Sequence, residues 1–214
     1  MRFAAALLVL LLAALVCLLP SRAAWSDCQP LTIGVDTSKA TSATATVLGD
    51  VVGEVFYAPD TLVSSVTIWR SSFIDSSAVG LKIYVANVDS LGRPNPQSLI
   101  LDGPTVYHVL GDSIRPTPFQ FVFNPPMVLP HPGKYEFAFQ ASPCAASFYF
   151  IYANNNPFAE GTLWWHGQTA QSLCRLRTDP TEYPIQDLVF QVDFCQPTVP
   201  ARRETWGHIK DVYH

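Results

Sequence analysis

Proline most constrains what this chain can fold into. Its 18 prolines and 11 glycines are spread along the whole length rather than gathered in one tract. Few stretches of about a dozen residues escape both, and a proline inside a helix removes a backbone hydrogen bond and clashes with the preceding turn. Long helices are therefore excluded. What lies between the breaks is short and alternating. Phe119, Phe121 and Phe123 alternate with Gln120 and Asn124. Tyr135, Phe137 and Phe139 alternate with Glu136 and Gln140, and Leu188, Phe190, Val192 and Phe194 alternate with Gln191 and Asp193. Successive side chains on a strand point to opposite faces, so each stretch predicts a strand with one apolar face.

The same period runs through Val63–Trp69, where Val66 and Ile68 oppose Thr67 and Trp69, and through Leu81–Val85, where Lys82 and Tyr84 point away. Thr105–Leu110 reads as a short strand bounded by Gly103-Pro104 and Gly111, and Thr162–His166 as another. Phe148–Tyr152 is aromatic on both faces. With Leu31–Val35 and Val52–Tyr57 the chain predicts about ten strands. Thr37–Thr46, rich in Thr, Ser and Ala, reads as a loop or a soft edge strand. One apolar face per strand implies antiparallel sheets packed face to face, an all-β, two-sheet antiparallel β-sandwich. Helical connectors for a parallel sheet are missing. The expected core is Phe119, Phe121, Phe123, Phe137, Phe139, Phe190 and Val192. Gln120, Glu136, Gln140 and Gln191 are expected to face outward.

The N-terminus carries an export signal. Met1-Arg2-Phe3 precedes an apolar run from Ala4 to Leu19, then Pro20 and Ser21-Arg22-Ala23-Ala24. This is the charged, apolar and small-residue order of a secretory signal peptide, with cleavage expected after Ala23. The apolar run is about 16 residues, short of the ~20 that span a bilayer. The predicted organisation is a signal peptide over 1–23, a β-sandwich domain over 24–196, and a linker and tail over 197–214. No later apolar run is long enough to span, so no transmembrane anchor is expected after cleavage. The mature chain is expected to be secreted or held in the cell envelope. In the tail, Pro197 and Pro200 make a linker, and Thr205 is placed to cap a short helix from Trp206 to Tyr213. That segment reads either as a tail or helix docked on the sandwich, or as a sorting peptide.

Cysteine usage agrees with export. Of five cysteines, Cys17 leaves with the signal, and Cys28, Cys144, Cys174 and Cys195 remain. An even number in an exported chain favours disulfides, with three possible pairings. The favoured one is Cys28–Cys195, tying the N-terminal segment to the last strand, with Cys144–Cys174 clamping a loop of about 30 residues. No two are spaced closely enough for a zinc site. A formal net charge of −4, with 14% charged residues, excludes an electrostatic nucleic-acid footprint.

Several segments resemble the jelly-roll modules of bacterial secreted and surface proteins. A Gly/Pro-rich hairpin, Asp89-Ser90-Leu91-Gly92-Arg93-Pro94, follows the Val79–Asn87 strand. Leu129-Pro130-His131-Pro132-Gly133-Lys134-Tyr135 matches an L-x-P-G-x-Y-type segment, and Pro157-Phe158-Ala159-Glu160-Gly161 matches a P-[FY]-A-x-G turn. The likeness covers roughly residues 50–195. It implies a jelly-roll architecture and a carbohydrate-binding-like accessory role.

Catalytic signals are sparse. Gly111-Asp112-Ser113-Ile114 resembles the nucleophile block of the GDSL hydrolases, and Asp211-Val212-Tyr213-His214 their late D-x-x-H block. In that chemistry Ser113 attacks, His214 is the base and Asp211 orients it. The α/β helices of that family are missing, and Gly-Asp-Ser also serves as a turn. No catalytic residue, metal ligand set or cofactor is therefore expected. Asn87-x-Asp89 with Gly92 reads as a turn rather than a calcium loop. The most unusual local feature is Trp164-Trp165 on one short strand. Alternation sends one indole away from the core. Because Leu163 shares a face with Trp165, Trp164 is expected to be the exposed platform. A flat aromatic with polar neighbours stacks on sugar rings. His166, Asn154, Asn155 and Tyr152 are its expected companions, and Trp69 or Tyr84 could extend it. The expected partner is a glycan or another surface protein.

Overall fold

The computed structural model describes residues 28–47, 49–72, 79–108, 115–144, 146–167, 176 and 179–197. A compact unit spans Gln29–Gln196. The expected C-terminal helix, Cys174, Ser113, Asp211 and His214 lie outside the described residues, as do the side chains of Cys28 and His108.

Thirteen strands follow in order: β1 (Cys28–Gly34), β2 (Ser42–Thr46), β3 (Val51–Ala58), β4 (Leu62–Arg70), β5 (Val79–Val88), β6 (Pro94–His108), β7 (Thr117–Val128), β8 (Gly133–Ser142), β9 (Phe148–Asn154), β10 (Thr162–His166), β11 (Thr181–Tyr183), β12 (Gln186–Leu188) and β13 (Phe190–Pro197). The one helical turn described is the 3-10 segment Thr37–Lys39, capped by the Asp36 carboxylate accepting from the Ser38 N–H at 2.8 Å. Two sheets form the sandwich. One runs β1-β13-β4-β9-β12, with β2 paired to β9 and β7 to β4. The other runs β11-β10-β3-β8-β5-β6. Each strand pairing whose register is described is antiparallel.

The all-β, two-sheet expectation holds, with more strands than the ten expected. The additional ones are Ser42–Thr46, read beforehand as loop or soft edge strand, and the three-residue β11 and β12, too short to show a period. Gly103-Pro104 does not bound a separate strand. It lies inside β6, which slips register against β5 between Lys82 and Tyr84 and again beyond Val85.

Phenylalanine fills the gap between the sheets. Phe56 meets Phe137 edge-on at 4.8 Å and Phe190 of the opposite sheet at 5.6 Å. Phe121 and Phe139 face each other across the gap at 5.9 Å. Edge-to-face and tilted contacts at such distances add about 0.5–1.5 kcal/mol each to simple burial. Phe119, Phe121, Phe137, Phe139, Phe190 and Val192 are buried as expected. Phe123 is only half-buried. It lies where β7 slips against β4 opposite Val63–Ser65, so the strand phase breaks there.

Gln120 is exposed as expected, but Glu136 and Gln140 are buried. They do lie on the face of β8 that points away from the phenylalanine core. That face is not solvent: Leu176 packs over Val51, Tyr84 and Ala138 there. Gln140 accepts from the Tyr84 hydroxyl at 2.9 Å and donates to the Gly49 carbonyl at 2.8 Å. Gln191 is half-buried and donates to Asp193 at 2.9 Å.

Candidate functional site

The two tryptophans of β10 go to opposite faces, but not with the exposures expected. Leu163 joins the core, and Trp165 packs against it from a half-buried position. Trp164 points away from the core, yet it is only 6% exposed and offers no open platform. The reason is the covered outer face of its sheet. Trp164 lies opposite Gly53 of β3, and Glu136 fills the space above that glycine: a Cβ at Gly53 would run into Glu136 Oε1. Glu136 Oε1 in turn meets His166 Nε2 at 2.6 Å, and both side chains are fully buried. His166 is thus a structural partner of Glu136, not a surface ligand group. Among the described residues Trp164 Nε1 and Glu136 Oε2 are buried without a hydrogen-bond partner. One edge of Trp164 lines a polar cleft of about 360 Å³ with Asp89, Arg93, Asn95, Gln97 and Asp179.

The exposed aromatic assembly forms around Trp165 instead. Thr44, Tyr152, Leu163, Trp165, Tyr183 and Gln186 line a pocket of about 230 Å³. It lies where β2, β9 and β12 of one sheet approach β10 and β11 of the other. Pairing places Tyr183 opposite Leu163, and Gln186 opposite Asn154. Trp165 is half-buried and Tyr183 is 38% exposed, so both present ring surface to solvent. Gln186 Nε2 donates to Asn154 Oδ1 at 3.2 Å, which fixes the amide at the rim.

Of the five expected binding residues, only Tyr152 lines this pocket, and Asn154 supports it through Gln186. Asn155 is exposed at the following turn, where its φ of 69° suits asparagine. Trp164 and His166 belong to the other face. Tyr84 is buried on that face too, and Trp69 lines a separate hollow with Thr32, Ile33 and Gln191, so neither extends the platform. Sequence reasoning missed Trp165, Thr44, Tyr183 and Gln186. The paired tryptophans were the available signal. Nothing local marks the other three, which meet only through strand pairing.

A second cluster lies behind the pocket. Glu54 sits on the core phase of β3, between Val52 and Phe56, and is buried with Asp187. The Leu188 N–H donates to Glu54 Oε2 at 2.9 Å, and the Phe158 N–H donates to Asp187 Oδ2 at 3.0 Å. With its amide turned so that nitrogen faces Asp187, Asn156 donates to it at 3.1 Å. Burial, followed by the neighbouring Asp187 charge, holds the Glu54 carboxyl well above the usual carboxylate range. Burial also raises Asp187. Among the described residues Glu54 Oε1 has no hydrogen-bond partner. A glutamate on the apolar phase of a strand was the legible signal here.

On the outer face of the other sheet, Asp193 accepts from Ser65, Thr32 and Gln191 at 2.6, 2.7 and 2.9 Å. Burial works to raise its pKa, and the three hydrogen bonds together outweigh it and lower the value. Among the described residues no three His, Cys, Asp or Glu side chains gather as a metal site. No protein-family model matches the chain, and no curated protein matches it.

Proposed function

We propose that this is an exported, non-catalytic β-sandwich protein that binds glycan through the pocket beside Trp165. The observation that carries the reading is the grouping of three aromatic side chains, Tyr152, Trp165 and Tyr183, with a hydroxyl from Thr44 and the anchored amide of Gln186. Flat apolar rings stack on the C–H face of a sugar, and neighbouring hydroxyl and amide groups hold its hydroxyls. The jelly-roll likeness of residues 50–195 and the signal peptide at 1–23 support the same reading. A glycan array with wild type and Trp165→Ala tests it. Wild type is expected to bind, and the variant to lose about tenfold or more, equivalent to roughly 1.4 kcal/mol of stacking. Absence of wild-type binding to every glycan overturns the reading.

Assembly with another surface protein is the second reading, favoured by β7. Among the described residues this strand pairs only with β4, and it exposes Val122 and Val128. An unpaired edge with apolar side chains is a template for a partner strand. Sedimentation of wild type against Val122→Lys separates the two: self-association that the lysine abolishes favours assembly. The hydrolase alternative rests on Ser113, Asp211 and His214.

A further inference from the structure

We propose that the pocket beside Trp165 takes one neutral pyranose unit at the end of a glycan and rejects sugars that carry a carboxylate or sulfate. This rests on the sugar-binding reading and narrows it to a ligand class.

Size and walls come first. At about 230 Å³ the pocket falls below the roughly 300–1,000 Å³ of sites for drug-sized ligands, a size that suits one ring within its walls. Its lining comes from five strands of two sheets: Thr44 from β2, Tyr152 from β9, Leu163 and Trp165 from β10, Tyr183 from β11 and Gln186 from β12. Walls on both sides favour a terminal unit over a chain running through an open groove.

Charge decides the class. All six lining side chains are uncharged. A carboxylate or sulfate entering this pocket would lose water without meeting a cation among the described lining residues, which is costly. Gln186 commits one Nε2–H to Asn154, leaving its second N–H and Oε1 to meet ring hydroxyls, which both accept and donate. The cleft under Trp164 has the opposite character, with Arg93 paired to Asp89 at 2.7 Å on its wall.

Calorimetric titration with methyl glycosides of glucose, galactose and mannose, set against the matched uronates and sulfates, tests the proposal. At least one neutral glycoside is expected to bind at least tenfold more tightly than its uronate. Trp165→Ala is expected to abolish that binding, and the milder Trp165→Phe to weaken it if the alanine variant does not fold. Gln186→Lys is expected to shift the preference toward the uronate, because it supplies the missing cation. Gln97→Ala, in the cleft under Trp164, is expected to change nothing. Tighter binding of uronates or sulfates by wild type overturns the neutral-ligand inference and leaves sugar binding standing. Loss of binding in Gln97→Ala moves the ligand to the other cleft and overturns the site. If no saccharide binds at all, the sugar-binding reading itself fails.

Discussion

A carboxyl group inside a phenylalanine core must give up its charge or find a partner. Glu54 is 1% exposed, and its raised pKa comes first from burial and then from Asp187. A group that holds its proton more tightly folded than unfolded favours the fold while protonated. Its contribution is present below the unfolded pKa and is lost as pH rises through the folded one. We therefore expect denaturant stability to fall from the ordinary carboxylate range upward as Glu54 and Asp187 ionise. Glu54→Gln, which removes the ionisable carboxyl, should flatten that fall and be the more stable protein at pH 8. Urea titrations between pH 4.5 and 8 check this, and parallel profiles for wild type and variant would refute it. Asp36 and Asp89 act in a separate window. A backbone hydrogen bond from Ser38 lowers Asp36, and one from Arg93 lowers Asp89, so their contribution is lost only below the usual carboxylate range. Gly53 is fixed by contact rather than by backbone angle. A methyl group there enters the Glu136 carboxylate, so Gly53→Ala should cost about 1–3 kcal/mol by overpacking.

At the scale of the element, β10 shows how one five-residue strand divides two environments. Its even positions, Thr162, Trp164 and His166, lie over β3 and β8 on a covered polar face, while Leu163 and Trp165 close the core beside the pocket. Alternation was legible from the residues alone. Exposure was not, because it depends on what packs over the sheet. The Glu136–His166 contact carries much of that covered face. His166→Ala should leave Glu136 buried and unpaired, with an expected loss of about 3–5 kcal/mol. Glu136→Gln with His166 intact should cost less, since an amide retains a hydrogen bond to the ring. Chemical denaturation of His166→Phe separates this from simple loss of packing: the retained ring volume would restore stability if packing were the cause, and would leave the loss in place if the contact with Glu136 is. Phe56 is the corresponding anchor of the core, touching Phe137 and Phe190 from the two sheets.

For the molecule as a whole, the proposed export and a proposed covalent bracing belong together. We propose Cys28–Cys195 and Cys144–Cys174. Strand β1, which begins at Cys28, lies next to β13, which carries Cys195. Peptide mapping of the protein without reductant should recover the two linked pairs. Reduction should lower stability by about 2–5 kcal/mol per bridge. Recovery of Cys28 linked to Cys144 would refute the pairing. N-terminal sequencing of the same sample should begin at Ala24, which tests the signal cleavage independently.

The sequence by itself determined the class of fold, because proline spacing and period-two alternation are local properties. Steric exclusion of helix and the two-sided pleat act within a few residues. It also identified the phenylalanine core and singled out β10 as unusual. Only the tertiary structure decided which tryptophan meets solvent. It also decided that Glu136 and Gln140 are covered, and that Thr44, Tyr152, Trp165, Tyr183 and Gln186 share a pocket. Those residues are distant along the chain, and they converge through antiparallel pairings such as β2 with β9 and β12 with β9. Such pairings are set by long-range register and by what covers each sheet, and no local period encodes either.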